Sequence, residues 1–261
     1  RPVNSATGPD GCLYIVDMYR GIIQEGNWVR DGSYLRGVVQ EYELDKNIGR
    51  GRIFRVDHTS TRRDATPRML DETPAQLVSH LSHPNGWWRS EAQKLIILHG
   101  DRSVIPQLEQ LARTGENPLG RLHALWTLEG LAAVSESLIT EKFADADDRL
   151  RAAAVRMTES VIASDRSFDD HIEELTKDKS PDVVIQTLLS VTRGEHPQVD
   201  ALTKAIVAAH AQNQAIMSVA GRIRANMEAM IAEKKKIEEI RRRSKLLAES
   251  IVRGKVTYST L

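Results

Sequence analysis

The chain has 261 residues, with 36 Lys or Arg and 36 Asp or Glu, so its formal net charge at neutral pH is zero. This length fits one or two domains, and the charge balance argues against nucleic acid or an anionic membrane surface as a partner. The single cysteine, Cys12, excludes an internal disulfide framework, and we find no apolar run long enough to span a membrane.

The N-terminal segment 2–21 has the pattern of a tight hairpin. Gly8-Pro9-Asp10-Gly11 is a turn sequence, because Pro9 fixes φ and Gly11 can adopt the positive φ that such turns require. We predict strands over residues 3–7 and 12–17 on either side of it. Cys12, at the start of the second strand, is predicted to be a small buried side chain rather than a nucleophile.

A third strand is predicted within residues 48–57, after a polar loop at 25–36 that can be a short helix or an excursion over a binding site. Two or three strands need further strands or a helix to cover them. The sheet of residues 1–58 is therefore expected to be incomplete, and the family resemblance given below implies that it is the last, incomplete blade of a β-propeller. The rest of the propeller would precede Arg1, and the chain is expected to be a fragment with bare sheet edges that favour aggregation.

Residues 59–72 are polar and are predicted to be a linker, and from residue 73 the apolar spacing becomes helical. Asn or Asp residues and prolines precede helices that carry Arg and Ala three positions apart, at a step of a little over 30 residues. Such a step is typical of paired-helix repeats. We predict a HEAT-like or armadillo-like α-solenoid over 73–210, in which Arg89, Arg121 and Arg151 can reach the turn of a neighbouring repeat.

Residues 211–253 contain one glycine and no proline, and their apolar residues recur at helical spacing. We predict one or two long amphipathic helices, with the Lys and Arg runs at 234–236 and 241–243 on a solvated face rather than on a nucleic-acid or lipid surface. The last segment, Gly254-Lys255-Val256-Thr257-Tyr258-Ser259-Thr260-Leu261, resembles the lead-in of c-type cytochrome domains.

The N-terminal motif also carries a family resemblance. Gly-Pro-Asp-Gly-x-Leu-Tyr-x-x-Asp resembles a blade of glucose/sorbosone-dehydrogenase-like propellers, and with Met18 to Gln24 attached it resembles the membrane-bound dehydrogenases and haem-binding Cys-x-x-Cys-His proteins of planctomycetes and verrucomicrobia. The resemblance implies a mixed fold: terminal propeller strands, then an all-α HEAT-like superhelix and a long helix, with 254–261 leading into a truncated cytochrome domain. It also implies a periplasmic or cell-envelope location.

Polar residues at strand ends are the candidate substrate-binding or cofactor-binding set. Asp17, Tyr19 and Arg20 can bind a substrate, a quinone or Ca²⁺, or they can form a network that only closes the sheet. Arg50 and Arg52 can neutralise an acidic group such as a quinone carboxylate, or they can face solvent. Asn4 completes the set, no catalytic residue is identified, and no His or Cys spacing indicates a metal site.

Two functions from different classes follow. The resemblance implies part of an oxidoreductase that oxidises a sugar or alcohol, with haem c in a further domain, room for a quinone and Ca²⁺ in the propeller, and an electron acceptor as partner. This chain alone is not expected to be active or to hold those cofactors. The alternative is a non-catalytic scaffold that binds a glycan or a protein through its solenoid. Exposed aromatics near Trp28 and Tyr34 would suit sugar stacking, or equally a hydrophobic lid.

Overall fold

A computed structural model describes residues 2–23, 26–161, 168–193 and 198–252. The chain divides into two compact units, residues 1–133 and 134–261, which are described separately. Unit 1 contains the strands and five helices of the described chain, and unit 2 contains six helices.

The sheet of unit 1 has three antiparallel strands in the order β1-β2-β3, comprising β1 (Pro2–Thr7), β2 (Leu13–Asp17) and β3 (Arg52–Val56). β1 and β2 form a hairpin in which Gly8 N–H donates to the Cys12 carbonyl at 2.9 Å. Gly11 adopts φ 79°, as the turn sequence requires. Both outer strands are exposed at every position, so the two sheet edges are open among the described residues.

Between β2 and β3 the chain forms a small substructure around helix α1 (Tyr34–Glu41). The Ser33 side chain accepts from Arg36 N–H and caps this helix. Ile22, Val29 and Val39 form a small core with Leu35 and Leu44 packed against it.

The rest of unit 1 consists of two helical hairpins. Their helices are α2 (Pro74–His80) with α3 (Gly86–His99), and α4 (Ile105–Thr114) with α5 (Pro118–Gly130). Thr73 opens α2 with a capping box to Gln76. The second helices, α3 and α5, pack against each other. Contact is close enough that a Cβ on Gly130 would lie 2.4 Å from Ile97 Cδ1.

Unit 2 consists of six α-helices in its described residues. They are α6 (Glu136–Phe143), α7 (Asp148–Val161), α8 (Asp169–Leu175), α9 (Pro181–Arg193), α10 (Val199–Ala209) and α11 (Gln214–Val252). α9 packs against α7, α8, α10 and α11. Val184 and Leu188 of α9 share a core with Ile206, Ile216 and Ile223, all buried.

Side chains at the start of the second helices hold neighbouring turns together. Asn117, which caps α5, donates from Nδ2 to the Ser82 carbonyl in the preceding hairpin at 3.0 Å. Asn85, which caps α3, makes the equivalent contacts with the β-hairpin turn, at 3.0 Å to the Gly8 carbonyl and 3.2 Å to the Pro9 carbonyl. The Gly-Pro-Asp-Gly turn therefore contacts the Asn cap of α3 in the same way as the turn of the preceding helical hairpin contacts the Asn cap of α5.

The prediction of a propeller fold is wrong. The described residues form one three-stranded sheet among eleven helices, and a propeller requires repeated four-stranded blades. The physical reason is that the Gly-Pro-Asp-Gly signature specifies only a hairpin with one positive-φ residue, which any antiparallel pair can use. The prediction of helical repeats fits in part, because helical hairpins follow residue 73 in both units.

The polar segment after β3 contains no α-helix until Pro74, and the long helix is a single element from Gln214 to Val252. The cytochrome lead-in at 254–261 lies outside the described residues.

Candidate functional site

Three of the predicted binding residues meet where β2 ends and β3 begins. Asp17 and Arg52 are register partners across the sheet. The buried Asp17 carboxylate accepts the Tyr19 N–H at 2.9 Å. This hydrogen bond holds Tyr19 at φ 45°, a left-handed conformation that is uncommon for a residue other than glycine.

The Tyr19 ring is a platform for Arg52. The guanidinium carbon lies 4.1 Å from the centre of the Tyr19 ring and 5.5 Å from that of Phe54. A cation at this distance is attracted by the negative face of an aromatic ring. We name Asp17, Tyr19 and Arg52 the strand-end cluster. These contacts form a network that stabilises the turn after β2, and the Arg52 guanidinium is its exposed cationic group.

The other three predicted residues do not join this cluster. Asn4 pairs with Val16 and therefore lies on the opposite sheet face from Asp17. Its side-chain oxygen accepts the adjacent Ser5 N–H at 2.8 Å. Arg20 and Arg50 are exposed in the loops that leave β2 and enter β3. The sequence grouped Asp17 and Tyr19 with Arg20, whereas the antiparallel pairing of β2 with β3 places Arg52 beside them.

The hairpin turn has a structural role rather than a binding one. Burial raises the pKa of the Asp10 carboxyl, but hydrogen bonds from Cys12 N–H and the Tyr14 hydroxyl outweigh it, and the pKa lies below its usual value. Trp88 donates its indole N–H to the Pro9 carbonyl at 2.8 Å. The turn is thereby held on the start of α3.

The tryptophan and histidines near this turn pack against one another. Trp88 is buried, and the His83 ring stacks on it with centroids 5.0 Å apart. His80 lies 5.0 Å from the same ring and contacts a Glu72 carboxylate oxygen at 2.7 Å. No group of three or more His, Cys, Asp or Glu residues in the described ranges could hold a metal ion.

A pocket beside α1 was not identified from the sequence. Its volume is about 460 Å³. Its lining consists of Gly26, Val29, Arg30, Asp31, Arg36, Val39 and Asp45. We name it the α1 pocket. Two cationic and two anionic residues thus line the pocket together with two buried valines, and the Asp31 side chain is 99% exposed.

Arg36 is the central polar group of this pocket. Its Nε lies 3.7 Å from an Asp31 carboxylate oxygen, beyond hydrogen-bond distance. The same Nε is buried and has no hydrogen-bond acceptor among the residues that the structure describes. A buried N–H without an acceptor costs free energy. Because this atom is itself buried, a ligand in the pocket would meet the rest of the Arg36 side chain, which is 43% exposed.

Two chain segments approach each other closely next to the small core that contains Val29 and Val39. A Cβ on Gly21 would lie 2.3 Å from the Leu44 carbonyl oxygen, so only glycine allows the two chain segments to approach this closely. The aromatic residues of the same segment are solvent-exposed: Trp28 by 70%, Tyr34 by 88% and Tyr42 by 65%. The interpretation of Trp28 and Tyr34 as a hydrophobic lid therefore loses support. The Asn27 side chain lies outside the described part of the chain.

The helical surface of unit 1 carries a shallow groove on α3. Its volume is about 400 Å³, and Ser90, Gln93, Lys94, Ile97 and Leu98 line it. Gln93 accepts from His123 Nδ1 at 2.7 Å, because a carbonyl oxygen can only accept. Lys94 pairs with Glu91 on the same helix. A protein partner bound to the helical surface stays a prediction, and this groove is one place for it.

Among the described residues, no helix is both long enough and apolar enough to cross a bilayer. No curated protein matches the chain. A sequence family described as a domain of unknown function, DUF7133, matches residues 1–60. The matched segment is less than a quarter of the chain, and it contains both the strand-end cluster and the α1 pocket.

Proposed function

We propose that this chain is a non-catalytic scaffold and that its α1 pocket binds a neutral glycan. The observation that carries the proposal is a pocket lined by Arg30, Asp31, Arg36 and Asp45, in which the Arg36 side chain is 43% exposed. Sugar hydroxyls both donate and accept hydrogen bonds, so a mixed set of guanidinium and carboxylate groups suits them.

Exposed aromatic side chains support the same ligand class. Trp28 and Tyr34 lie in the same chain segment as the residues that line the pocket, and their side chains are 70% and 88% exposed. Aromatic faces provide apolar area for the C–H face of a sugar ring, while polar groups fix its orientation. The pocket's cationic and anionic groups balance, which favours a neutral ligand over an anionic one.

The test is calorimetric titration of the whole chain with cellohexaose, xylohexaose and maltohexaose. We expect at least one of them to bind, and Arg36→Gln to weaken that binding by about tenfold, the effect of losing a hydrogen bond from a charged donor. Arg50→Gln is the matched control, since Arg50 is exposed outside the pocket and its loss should leave affinity unchanged.

Aromatic variants test the second element of the proposal. Trp28→Ala should weaken binding, whereas Tyr42→Ala, which removes an exposed aromatic at the other end of α1, should not. The proposal is overturned if none of the three saccharides binds, or if Arg36→Gln and Arg50→Gln behave alike.

Oxidoreductase activity, a c-type haem, a quinone, Ca²⁺ and a periplasmic location remain predictions from the family resemblance. The strand-end cluster offers an exposed cation to an acidic cofactor, but its aspartate is committed to the Tyr19 turn. We therefore place the glycan-binding scaffold first.

A further inference from the structure

Only the first part of helix α11 packs within unit 2. Ile216, Ala220 and Ile223 are buried against α9 and α10, and Met227 is the last side chain in that core. From residue 228 to residue 249 every side chain is exposed except that of Glu239, which is half-buried. At 1.5 Å per residue this exposed part extends about 30 Å.

The exposed part carries a narrow apolar stripe. Met230, Ile237, Ile240 and Leu247 follow one another at intervals of seven, three and seven residues, and each is 42–56% exposed. These are the a and d positions of a heptad repeat, which form the seam of a coiled coil. We name these four residues the distal seam.

The positions that flank the distal seam are basic. With Ile237 at position a, four of the six e and g positions in residues 228–249 are occupied by Lys234, Lys236, Arg241 and Arg243. Glu228, Glu238, Glu239 and Glu249 lie at b, c and f, away from the seam, whereas Glu233 occupies a d position and Ser244 an a position. One of them, Glu239, accepts from Arg243 Nε at 2.7 Å and partly neutralises that cation.

A second copy of this helix fits the seam poorly. In a parallel pair Lys236 at g would face Arg241 at e of the other copy, and an antiparallel pair would set basic against basic as well. Like charges across such an interface are destabilising. A partner helix with acidic e and g positions would instead pair with all four cations.

A membrane surface fits less well than a helix. Interfacial helices present a broad apolar face with aromatic or leucine residues, whereas this stripe has the a/d width of a coiled-coil seam. The α11 sequence contains no aromatic residue, and Glu233 lies within the stripe at a d position. We propose that the distal seam docks an amphipathic helix of a protein partner whose flanking positions are acidic.

The test uses a labelled peptide of about 28 residues, with Leu at a and d and Glu at e and g, long enough to form a helix. Fluorescence anisotropy with the whole chain should show binding at least about tenfold tighter than to the same peptide with Lys at e and g. Ile240→Asp should weaken binding by about tenfold or more, as expected for a central interface residue.

Leu246→Asp is the matched control, because Leu246 is as exposed as the seam residues but lies on the opposite face of α11. It should leave affinity within about twofold, since it contacts nothing in the docked helix. A double charge reversal, Lys236→Glu with Arg241→Glu, should abolish the preference for the Glu peptide, because two cations and two anions then flank the seam. Unchanged far-UV circular dichroism establishes that each variant is folded.

Three outcomes would overturn the proposal. One is equal affinity for the Glu and Lys peptides. Another is self-association in sedimentation that Ile240→Asp abolishes, which would identify a second copy as the occupant. The third is binding to vesicles of phosphatidylglycerol in the absence of peptide binding, which would identify a lipid surface. None of these depends on the α1 pocket.

Discussion

We expect that removal of the Arg151 side chain destabilises unit 2 more than removal of any exposed charged side chain on the same helix. Arg151 is 5% exposed, and it makes a bidentate pair with Asp178, with Nε–Oδ2 and Nη2–Oδ1 distances of 2.7 and 2.8 Å. Its Nη1 also donates to the Asp145 carbonyl at 2.9 Å. The residue therefore joins the turn before α7 to the turn before α9, as the repeat pattern predicted for this arginine.

The magnitude follows from burial. Arg151→Ala leaves the Asp178 carboxylate, 10% exposed, with the Ser180 N–H as its described partner. Breaking a buried ion pair from one side costs about 3–5 kcal/mol. Arg149 lies two residues away on α7, and its side chain is 53% exposed in its ion pair. Arg149→Ala should therefore lower the free energy of unfolding by less than about 1 kcal/mol.

The assay separates the two units. All four tryptophans lie in residues 1–133, so tryptophan fluorescence reports on unit 1 and far-UV circular dichroism includes unit 2. In urea, Arg151→Ala should lower the midpoint of the transition seen only by circular dichroism by at least about 1 M, given slopes of about 1–3 kcal/mol per M. The fluorescence transition should move less.

The pH dependence gives an independent check. Burial raises the pKa of Asp178, but the hydrogen bonds from Arg151 and Ser180 N–H lower it more, so the folded pKa lies below 3.8. The unfolded chain thus binds this proton at higher pH, and the stabilisation is present above pH 3.8 and lost as pH falls through the folded pKa. Equal midpoint shifts for Arg151→Ala and Arg149→Ala would refute the reasoning.

Three further predictions concern unit 1. Cys12 is 2% exposed, and burial, followed by the nearby Asp10, raises the pKa of its thiol, so a thiol reagent should react slowly until urea unfolds the chain; fast labelling of the folded protein would contradict this. Burial, followed by the nearby Arg89, lowers the pKa of His123 below 6.5, so unit 1 should lose stability as the pH falls below 6.5. His123→Gln should reduce this loss, measured as the fluorescence-detected urea midpoint. An identical loss in both proteins would exclude His123 as the cause. Trp88→Phe should cost about 0.5–1.5 kcal/mol by removing the bond to the Pro9 carbonyl and should speed proteolysis within the β-hairpin; an unchanged cleavage rate would argue that the turn is held by other contacts.

The sequence by itself determined the local elements and one local cluster. Periodicity and turn chemistry predicted the hairpin around Gly11, the start of α2 at Thr73 and the long helix α11, because these depend on neighbours close in the chain. Asp17 and Tyr19 are also two residues apart, and their hydrogen bond needs no distant partner.

Tertiary structure decided everything that depends on distant contacts. The Gly-Pro-Asp-Gly turn was compatible with a propeller blade, and only the contacts of Asn85 and Trp88 with it, over 70 residues away, show that it anchors on a helical hairpin. The residues that line the α1 pocket are likewise spread from Gly26 to Asp45, and the close approach of Gly21 to Leu44 is one that no spacing encodes. The local sequence determines backbone φ angles at turns and the spacing of apolar residues. The pairing of segments far apart in the chain depends on packing that only the folded chain defines.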